Sequence, residues 1–130
     1  MTTPSENLHW IGFDLGGTKM LSTVYDSDFQ LCGKHRTKTK GHEGQNAGLK
    51  RMVNTIRQSI EDAEINVDDL AGVGIGCPGP LDLNGGILKS APNLGWSNVP
   101  IKETLETELN CDVHLINDVD AGVYGEYRFG

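Results

Sequence analysis

The chain has 130 residues, enough for one domain with its own hydrophobic core. Eleven Lys and Arg against 18 Asp and Glu give a formal net charge of -7, which disfavours nucleic acid and anionic membrane surfaces as partners. The sequence contains neither a secretion signal nor an apolar run of about 18 residues, so we expect a cytoplasmic protein.

The first part of the chain predicts three consecutive strands. His9 to Leu15 is a largely apolar segment that enters Gly16-Gly17, and Met20 to Tyr25 follows as the second strand. After a turn at Asp26-Ser27-Asp28, Phe29 to Thr39 forms the third strand, and strands joined so closely pair antiparallel. Cations recur there at every second position, on one exposed face that protects a sheet edge: Lys34, Arg36, Lys38 and Lys40.

The middle of the chain predicts a helix and a fourth strand. After a loop at Gly41 to Gly44, apolar residues recur at helical spacing, in a stripe that should face a sheet: Leu49, Met52, Val53, Ile56, Ile60 and Ala63. Leu70 to Gly76 is the fourth strand. It stops where Cys77-Pro78-Gly79-Pro80 forbids both a helix and a strand ladder, and we expect a functional loop to begin there.

The last part of the chain predicts two helices around a fifth strand. Ile87 to Lys89 is at most a short extension, and Pro100 lies near the start of a helix with one apolar side: Ile101, Leu105 and Leu109. Cys111 to Ile116 is the fifth strand, and a final helix begins at Asp118, with Ala121, Tyr124 and Tyr127 at helical spacing. The order βββαβαβα predicts an α/β fold, a mixed five-stranded sheet with helices on its faces.

We expect no catalytic or metal-binding role for the cysteines and histidines of this chain. The three cysteines, Cys32, Cys77 and Cys111, are odd in number and widely spaced, which favours free thiols over a disulfide framework or a zinc knuckle. The four histidines also lack the spacing of metal ligands.

Two adjacent glycines join the first two strands within Asp14-Leu15-Gly16-Gly17-Thr18-Lys19. Gly16 and Gly17 let backbone N–H groups approach an anion that side chains would block, and Thr18 and Lys19 add donors. Asp14 could hold a magnesium-bound water near the same phosphates, because hard cations prefer carboxylate oxygen. A plain hairpin turn explains the segment equally well. A Walker A loop does not, because a strand rather than a helix follows.

Two later loops carry residues suited to a small polar ligand. From Gly76 to Leu81 the prolines fix the backbone and Gly79 exposes it, which is as typical of a structural turn as of a ligand-binding wall. Ser90 to Trp96 combines the amide of Asn93 with an indole, which suits sugar hydroxyls and the apolar face of a sugar ring. Taken alone, Trp96 is more often a core residue.

Asn117-Asp118 follows the fifth strand and precedes the final helix. Asp118 is therefore either the N-cap of that helix or a ligand-binding carboxylate, since open α/β sheets bind ligands at the carboxyl ends of their strands. Asp14 and the loop at Pro78-Gly79-Pro80 lie at such ends too. This convergence favours one shared pocket.

Four segments, taken in order, resemble the ROK family of bacterial sugar kinases and repressors: Asp14 to Lys19, Gly76 to Leu81, Ser90 to Trp96, and Asn117-Asp118. The likeness runs from about Ile11 to Gly130. It implies a lobe of the RNase H-like, actin-like ATPase fold in a cytoplasmic kinase. The implied reaction is ATP- and magnesium-dependent phosphorylation of a hexose, glucose at its 6-hydroxyl.

The resemblance also implies roles for individual residues. The phosphates of ATP and the magnesium ion meet five residues of the first turn: Asp14, Gly16, Gly17, Thr18 and Lys19. The sugar is bound by four others: Gly79, Asn93, Asn117 and Asp118. Asp118 is in addition the catalytic base, which takes the proton from the attacking sugar hydroxyl.

The sequence departs from the family pattern at two points. Val119-Asp120-Ala121-Gly122 stands where the family often has an Asn followed by small residues, so the role of Asp120 is open. The family's second lobe, with an adenosine pocket, a second phosphate loop and a structural zinc motif, has no counterpart. We therefore expect residues 1–130 to be an amino-terminal lobe, inactive alone, of a homo-oligomeric parent protein.

Two other functions fit the same resemblance. A sugar-responsive repressor would need a helix-turn-helix segment ahead of the first strand, where only about eight residues stand, and an acidic chain suits DNA poorly. A non-catalytic sugar-binding lobe would keep the fold without the chemistry. The presence of Asp118 argues against this second alternative.

Overall fold

A computed structural model of the chain describes residues 8–117, which form two sheets and two main helices. The strands are β1 (His9–Leu15), β2 (Lys19–Tyr25), β3 (Leu31–Lys38), β4 (Leu70–Cys77), β5 (Leu81–Asp82), β6 (Ile87–Ala91), β7 (Trp96–Val99) and β8 (Asp112–Asn117). The helices are α1 (Gln45–Asp62) and α2 (Ile101–Leu109), with 3-10 turns at Gly41–Glu43 and Val67–Asp69. The helix expected from Asp118 onward lies outside the described residues.

The main sheet has five strands in the order β3-β2-β1-β4-β8. β1 and β2 pair antiparallel, as do β2 and β3, whereas β1 and β4 pair parallel, as do β4 and β8. The predicted mixed five-stranded sheet is confirmed. β3 is an edge strand, and its alternating cations Lys34, Arg36 and Lys38 are exposed, as expected of residues that protect an edge.

The third strand is shorter than predicted because the preceding turn is longer. Asp26 Oδ1 accepts hydrogen bonds from the N–H groups of Asp28 and Gln30, each at 2.9 Å, and Phe29 has a φ of 61°. This side-chain turn holds the chain out of the ladder until Leu31. The predicted start of the strand at Phe29 is therefore wrong by two residues.

A second, three-stranded sheet is the main departure from the predicted order. β5, β6 and β7 pair antiparallel between β4 and α2, where the sequence predicted only a short extension at Ile87 to Lys89. Its strands are 2, 5 and 4 residues long, too short for a periodic pattern to develop. Within the described residues the order is thus βββαββββαβ.

Both helices pack on the main sheet and contact each other, so they cover one face of it. The predicted stripe of α1 faces β2 and β3, and its members Leu49, Met52, Val53, Ile56 and Ile60 are buried. Two buried hydroxyls, Ser22 of β2 and Ser59 of α1, satisfy each other at 2.8 Å. All three cysteines are free, as predicted. Within residues 8–117, no helix is long and apolar enough to span a membrane.

Candidate phosphate and sugar site

The carboxyl ends of β1, β4 and β8 meet at one edge of the main sheet. Asp14 of β1 stands opposite Gly76 of β4, and Cys77, the next residue of β4, stands opposite Asn117 of β8. Asp14 and Asn117 are thus two strand spacings apart, about 10 Å. The expected convergence of these strand ends is confirmed, while Asp118, one residue further, lies outside the described residues.

The turn between β1 and β2 is closed by its own backbone. Gly16 N–H donates to the carbonyl oxygen of Lys19 at 2.9 Å. A Cβ at position 16 would lie 2.6 Å from that same oxygen, so no other residue fits without moving the backbone. Gly16 is therefore explained by the geometry of the turn.

The next two residues of the turn face solvent and leave backbone donors available. Gly17 and Thr18 are exposed, and a Cβ at position 17 would meet no atom within 4 Å. Within the described part of the chain, the N–H groups of Gly17 and Thr18 have no acceptor. Two adjacent unsatisfied N–H groups form the kind of concavity that binds anions. Asp14 before the turn and Lys19 after it have exposed side chains.

Thr39, which the sequence analysis did not single out, holds this turn from the inside. The residue is completely buried just beyond β3. Its N–H donates to the carbonyl of Thr18 and its Oγ1 to the carbonyl of Gly16, both at 2.8 Å. A single threonine after a strand carries no sequence signal. Only the pairing of β2 with β3 reveals its role.

The loop after β4 lies against β6. Gly79 has a φ of 83°, and a Cβ there would lie 2.3 Å from the carbonyl oxygen of Ser90. Lys89 N–H donates to the carbonyl of Pro80 at 3.0 Å. Of the two interpretations of Gly79, the structural turn is thereby supported. The residue is also exposed, so its backbone is accessible to a ligand.

The loop between β6 and β7 separates its two candidate residues. Asn93 is exposed at a turn closed by N–H donation from Leu94 to Ala91 at 2.9 Å. Trp96 is 2% exposed, and its Nε1 donates to the carbonyl of Gly41 at 3.1 Å. The idea that this indole offers its face to a sugar ring is wrong, because a buried ring packs within the core.

Two clefts of the described residues lie away from this edge of the sheet. A cleft of about 560 Å³ runs between α1 and α2, and one of about 430 Å³ lies beside Lys102 and Glu106. Neither includes a predicted site residue. Within the same residues, no group of three or more His, Cys, Asp and Glu side chains could hold a metal.

The sheet order, with its helices and the turn after β1, defines the class: a lobe of the actin-like ATPase fold. The model of the ROK family matches residues 10–130. The chain therefore belongs to the ROK family.

Curated relatives of this chain include both enzymes and regulators. A glucokinase of Streptomyces coelicolor is 31% identical over 120 residues, covering 92% of this chain and 36% of the glucokinase. A putative xylose repressor of Caldicellulosiruptor is 30% identical over 120 residues, covering 92% of this chain and 30% of the repressor. The chain thus spans about a third of the length of these relatives.

Solved structures agree in fold. The ROK hexokinase of Thermus thermophilus superposes with a TM-score of 0.81 at 29% identity, covering 95% of this chain and 39% of the hexokinase. A ROK family glucokinase of Streptomyces griseus, solved with glucose and AMPPNP, gives a TM-score of 0.78 at 28% identity. That match covers 94% of this chain and 37% of the glucokinase.

Proposed function

We propose that the full-length protein transfers the γ-phosphoryl group of ATP to a hexose, glucose at its 6-hydroxyl, and that residues 1–130 are its amino-terminal lobe. The likeness to a glucokinase solved with glucose and AMPPNP supports both substrates. The chain covers little more than a third of that structure, so a second lobe supplies the remaining contacts to the nucleotide.

The observation that carries the proposal is the pair of N–H groups without an acceptor at Gly17 and Thr18. These donors bind the phosphates of ATP, with the Lys19 ammonium as an added positive charge. Phosphoryl transfer needs chiefly positioning and charge stabilisation, both of which a rigid turn of backbone donors provides. The open space at Gly17 leaves room for a phosphate to approach the backbone.

A magnesium ion fits this side of the site through Asp14. Its carboxylate is exposed one residue before the end of β1 and is a hard oxygen donor of the type that Mg²⁺ prefers. A single carboxylate is sufficient because Mg²⁺ usually keeps several waters and binds substrate phosphates. When bound, the ion neutralises negative charge on the phosphates. We place the family's structural zinc in the second lobe.

The sugar binds across the strand ends from the phosphate turn, which is our name for Gly16, Gly17 and Thr18 between β1 and β2. Asn93 and Asn117 provide amides, and the backbone at Gly79 provides a carbonyl and an N–H group. Asp118 accepts the proton of the 6-hydroxyl as the hydroxyl oxygen bonds to the γ-phosphorus. The bond from that phosphorus to the bridging oxygen breaks, and ADP leaves. The products are glucose 6-phosphate, ADP and a proton, which Asp118 returns to water.

The test is a coupled assay of ADP production by the full-length protein over a panel of hexoses. We expect turnover that requires MgATP and is fastest with glucose, and no turnover by residues 1–130 alone, because half of the nucleotide site is missing. Absence of hexose-dependent ADP from the full-length protein, under conditions where a glucokinase is active, would refute the proposal.

The match to a xylose repressor supports a second candidate, a sugar sensor without catalysis. The sensor would bind a sugar in calorimetry and produce no ADP, and its binding of operator DNA would change on addition of the sugar. The kinase would instead produce one ADP for each sugar phosphate formed. The carboxylate of Asp118 favours the kinase, since a sensor needs no base.

A further inference from the structure

We infer that Thr39 is the positioning residue of the phosphate turn and that Arg51 braces it from helix α1. This inference rests on the proposed function, because it concerns the same nucleotide site. Thr39 is completely buried, so it acts on a ligand only through the turn.

The hydroxyl of Thr39 determines where the Gly17 N–H points. The carbonyl of Gly16 and the N–H of Gly17 belong to one planar trans peptide, in which the two groups point in opposite directions. Thr39 Oγ1 donates to that carbonyl at 2.8 Å. The bond turns the Gly16 oxygen toward the core and the Gly17 N–H away from it. An anion at the turn thus meets a donor instead of a carbonyl oxygen.

The backbone of Thr39 holds the other end of the turn. Its N–H donates to the carbonyl of Thr18 at 2.8 Å, which extends the ladder of β2 and β3 one residue beyond Lys19 and Lys38. Both carbonyls that flank Gly17 and Thr18 are thereby engaged by a single residue. These two bonds hold the peptide group before Gly17 and the peptide group after Thr18, so the turn is organised before the nucleotide arrives.

Arg51 fixes Thr39 from a third direction. Its Nη1 donates to the Thr39 carbonyl at 2.8 Å, and its Nη2 forms an ion pair with Glu43. The side chain of Arg51 is 19% exposed. With its charge neutralised by Glu43 and its donors directed to the protein, Arg51 is a structural brace and not a phosphate ligand.

The experiment measures steady-state kinetics of the full-length protein with Thr39→Val and Thr39→Ser. Valine keeps the shape and loses the hydroxyl, so the Gly16 carbonyl is unpaired and the Gly17 N–H is free to turn. We expect Thr39→Val to raise KM for ATP about tenfold and to leave KM for glucose within twofold. Thr39→Ser keeps the hydroxyl and should keep KM for ATP at the wild-type value.

Thr55→Val is the matched control. Thr55 is also a buried threonine, 1% exposed, whose hydroxyl donates to the Arg51 carbonyl at 2.6 Å and lies 3.0 Å from the Thr37 hydroxyl. Its bond to Arg51 is made to the backbone carbonyl within α1 and not to the guanidinium. Thr55→Val therefore loses a comparable hydrogen bond without contact to the turn. We therefore expect KM for ATP to be unchanged in this variant, although its melting temperature falls as in Thr39→Val.

An unchanged KM for ATP in Thr39→Val overturns the inference, and so does an equal rise in KM for ATP and KM for glucose. A KM for ATP in Thr39→Ser that is as high as in Thr39→Val also overturns it. If the wild-type protein proves to have no kinase activity, the proposed function fails separately. Titration calorimetry with MgATP then tests the inference on the same variants. The inference is supported if the wild type binds MgATP and Thr39→Val binds it about tenfold more weakly. Equal binding by the two proteins, or no binding by the wild type, contradicts the inference.

Discussion

The indole of Trp96 occupies the space beside Gly48, where a Cβ would lie 2.3 Å from Cζ2 of the ring. Trp96 starts β7, and Gly48 is in the first turns of α1, so this contact joins the second sheet to the helix. Ser97 N–H, which donates to Gln45 Oε1 at 3.1 Å, strengthens the same junction. The contact fixes the base of the loop that carries Asn93.

Gly48→Ala should destabilise the protein. The added methyl group overlaps a buried ring, and overpacking of this kind costs about 1–3 kcal/mol, more than the gain of up to about 1 kcal/mol that alanine brings in a helix. We expect the free energy of unfolding in urea to fall by about 2 kcal/mol. Asn46→Ala, exposed two residues earlier, is the control and should change it by less than about 0.5 kcal/mol. Equal stability of the two variants would contradict this packing.

The two glycines of the phosphate turn should respond oppositely to alanine. Gly16→Ala brings a Cβ to 2.6 Å from the Lys19 carbonyl and should lower the melting temperature by several degrees. Gly17→Ala meets open space and should leave the melting temperature unchanged, while its methyl group obstructs the approach of a phosphate and raises KM for ATP about tenfold. Thermal unfolding and kinetics of both variants provide the measurement. Normal KM for ATP in Gly17→Ala would argue against phosphate binding at this turn.

The strands of the main sheet could be predicted because they are 6 to 8 residues long, enough for an apolar run or a period of two to appear. β1 was predicted with its observed bounds, His9 to Leu15, since an apolar run ends there at two glycines. β4 ends at Cys77, one residue later than predicted, because Pro78 stops the ladder. Proline and glycine act within a few residues, so a single sequence reveals them.

The second sheet could not be predicted because its strands, of 2, 5 and 4 residues, are too short for a periodic pattern. The supports of the site could not be predicted because they depend on contacts distant in sequence. Leu81–Asp82 is a strand only because it pairs with β6. Trp96 donates to Gly41, 55 residues away, and the burial of its ring follows from where α1 lies. Thr39 acquires its role when β3 pairs beside the turn. Such relationships leave no periodic pattern in the sequence.

Glu106 should make stability depend on pH. Its Oε2 accepts hydrogen bonds from Lys102 Nζ at 3.0 Å and Val113 N–H at 3.1 Å, joining α2 to β8. Burial acts to raise the pKa of Glu106, but these hydrogen bonds and the nearby charges of Lys102 and His114 outweigh it and lower the pKa. A carboxyl with a lowered folded-state pKa stabilises the protein above its unfolded-state pKa, and this contribution is lost as the pH falls through the folded-state value.

Glu106→Gln tests this dependence. At pH 7 we expect the free energy of unfolding in urea to be about 1 kcal/mol lower in the variant than in the wild type. The effect is small because the carboxylate is partly exposed and its ion pair is screened. Toward pH 3, below the pKa of a glutamate in the unfolded chain, the difference should shrink, because the unfolded state then takes up the proton first. A difference that stays constant from pH 7 to pH 3 would mean that the charge of Glu106 is irrelevant.

Cys111 should be slow to react in the native protein. Burial, together with the negative charges of Asp112 and Glu106, raises the pKa of its thiol to about 11. At pH 8 only about one molecule in a thousand is then a thiolate, the form that alkylates. In a Cys32→Ser, Cys77→Ser background, we expect iodoacetamide to modify the folded protein at least a hundredfold more slowly than the urea-unfolded protein. Equal alkylation rates of the folded and unfolded protein would show that the Cys111 thiol is neither buried nor raised in pKa.

Under the proposed function, Asp118→Asn should abolish most of the turnover of the full-length protein. Asparagine keeps the size and can still hydrogen bond to the sugar, but it cannot accept the proton of the 6-hydroxyl. General base catalysis is worth about 10²- to 10⁴-fold in rate, so we expect kcat to fall by that factor, with KM for glucose changed less than fivefold. Asp112→Asn, an exposed residue at the start of β8, is the control and should keep kcat within twofold. If kcat of Asp118→Asn stays within threefold of the wild type, the base is another group, and the strand-end geometry would serve substrate binding alone.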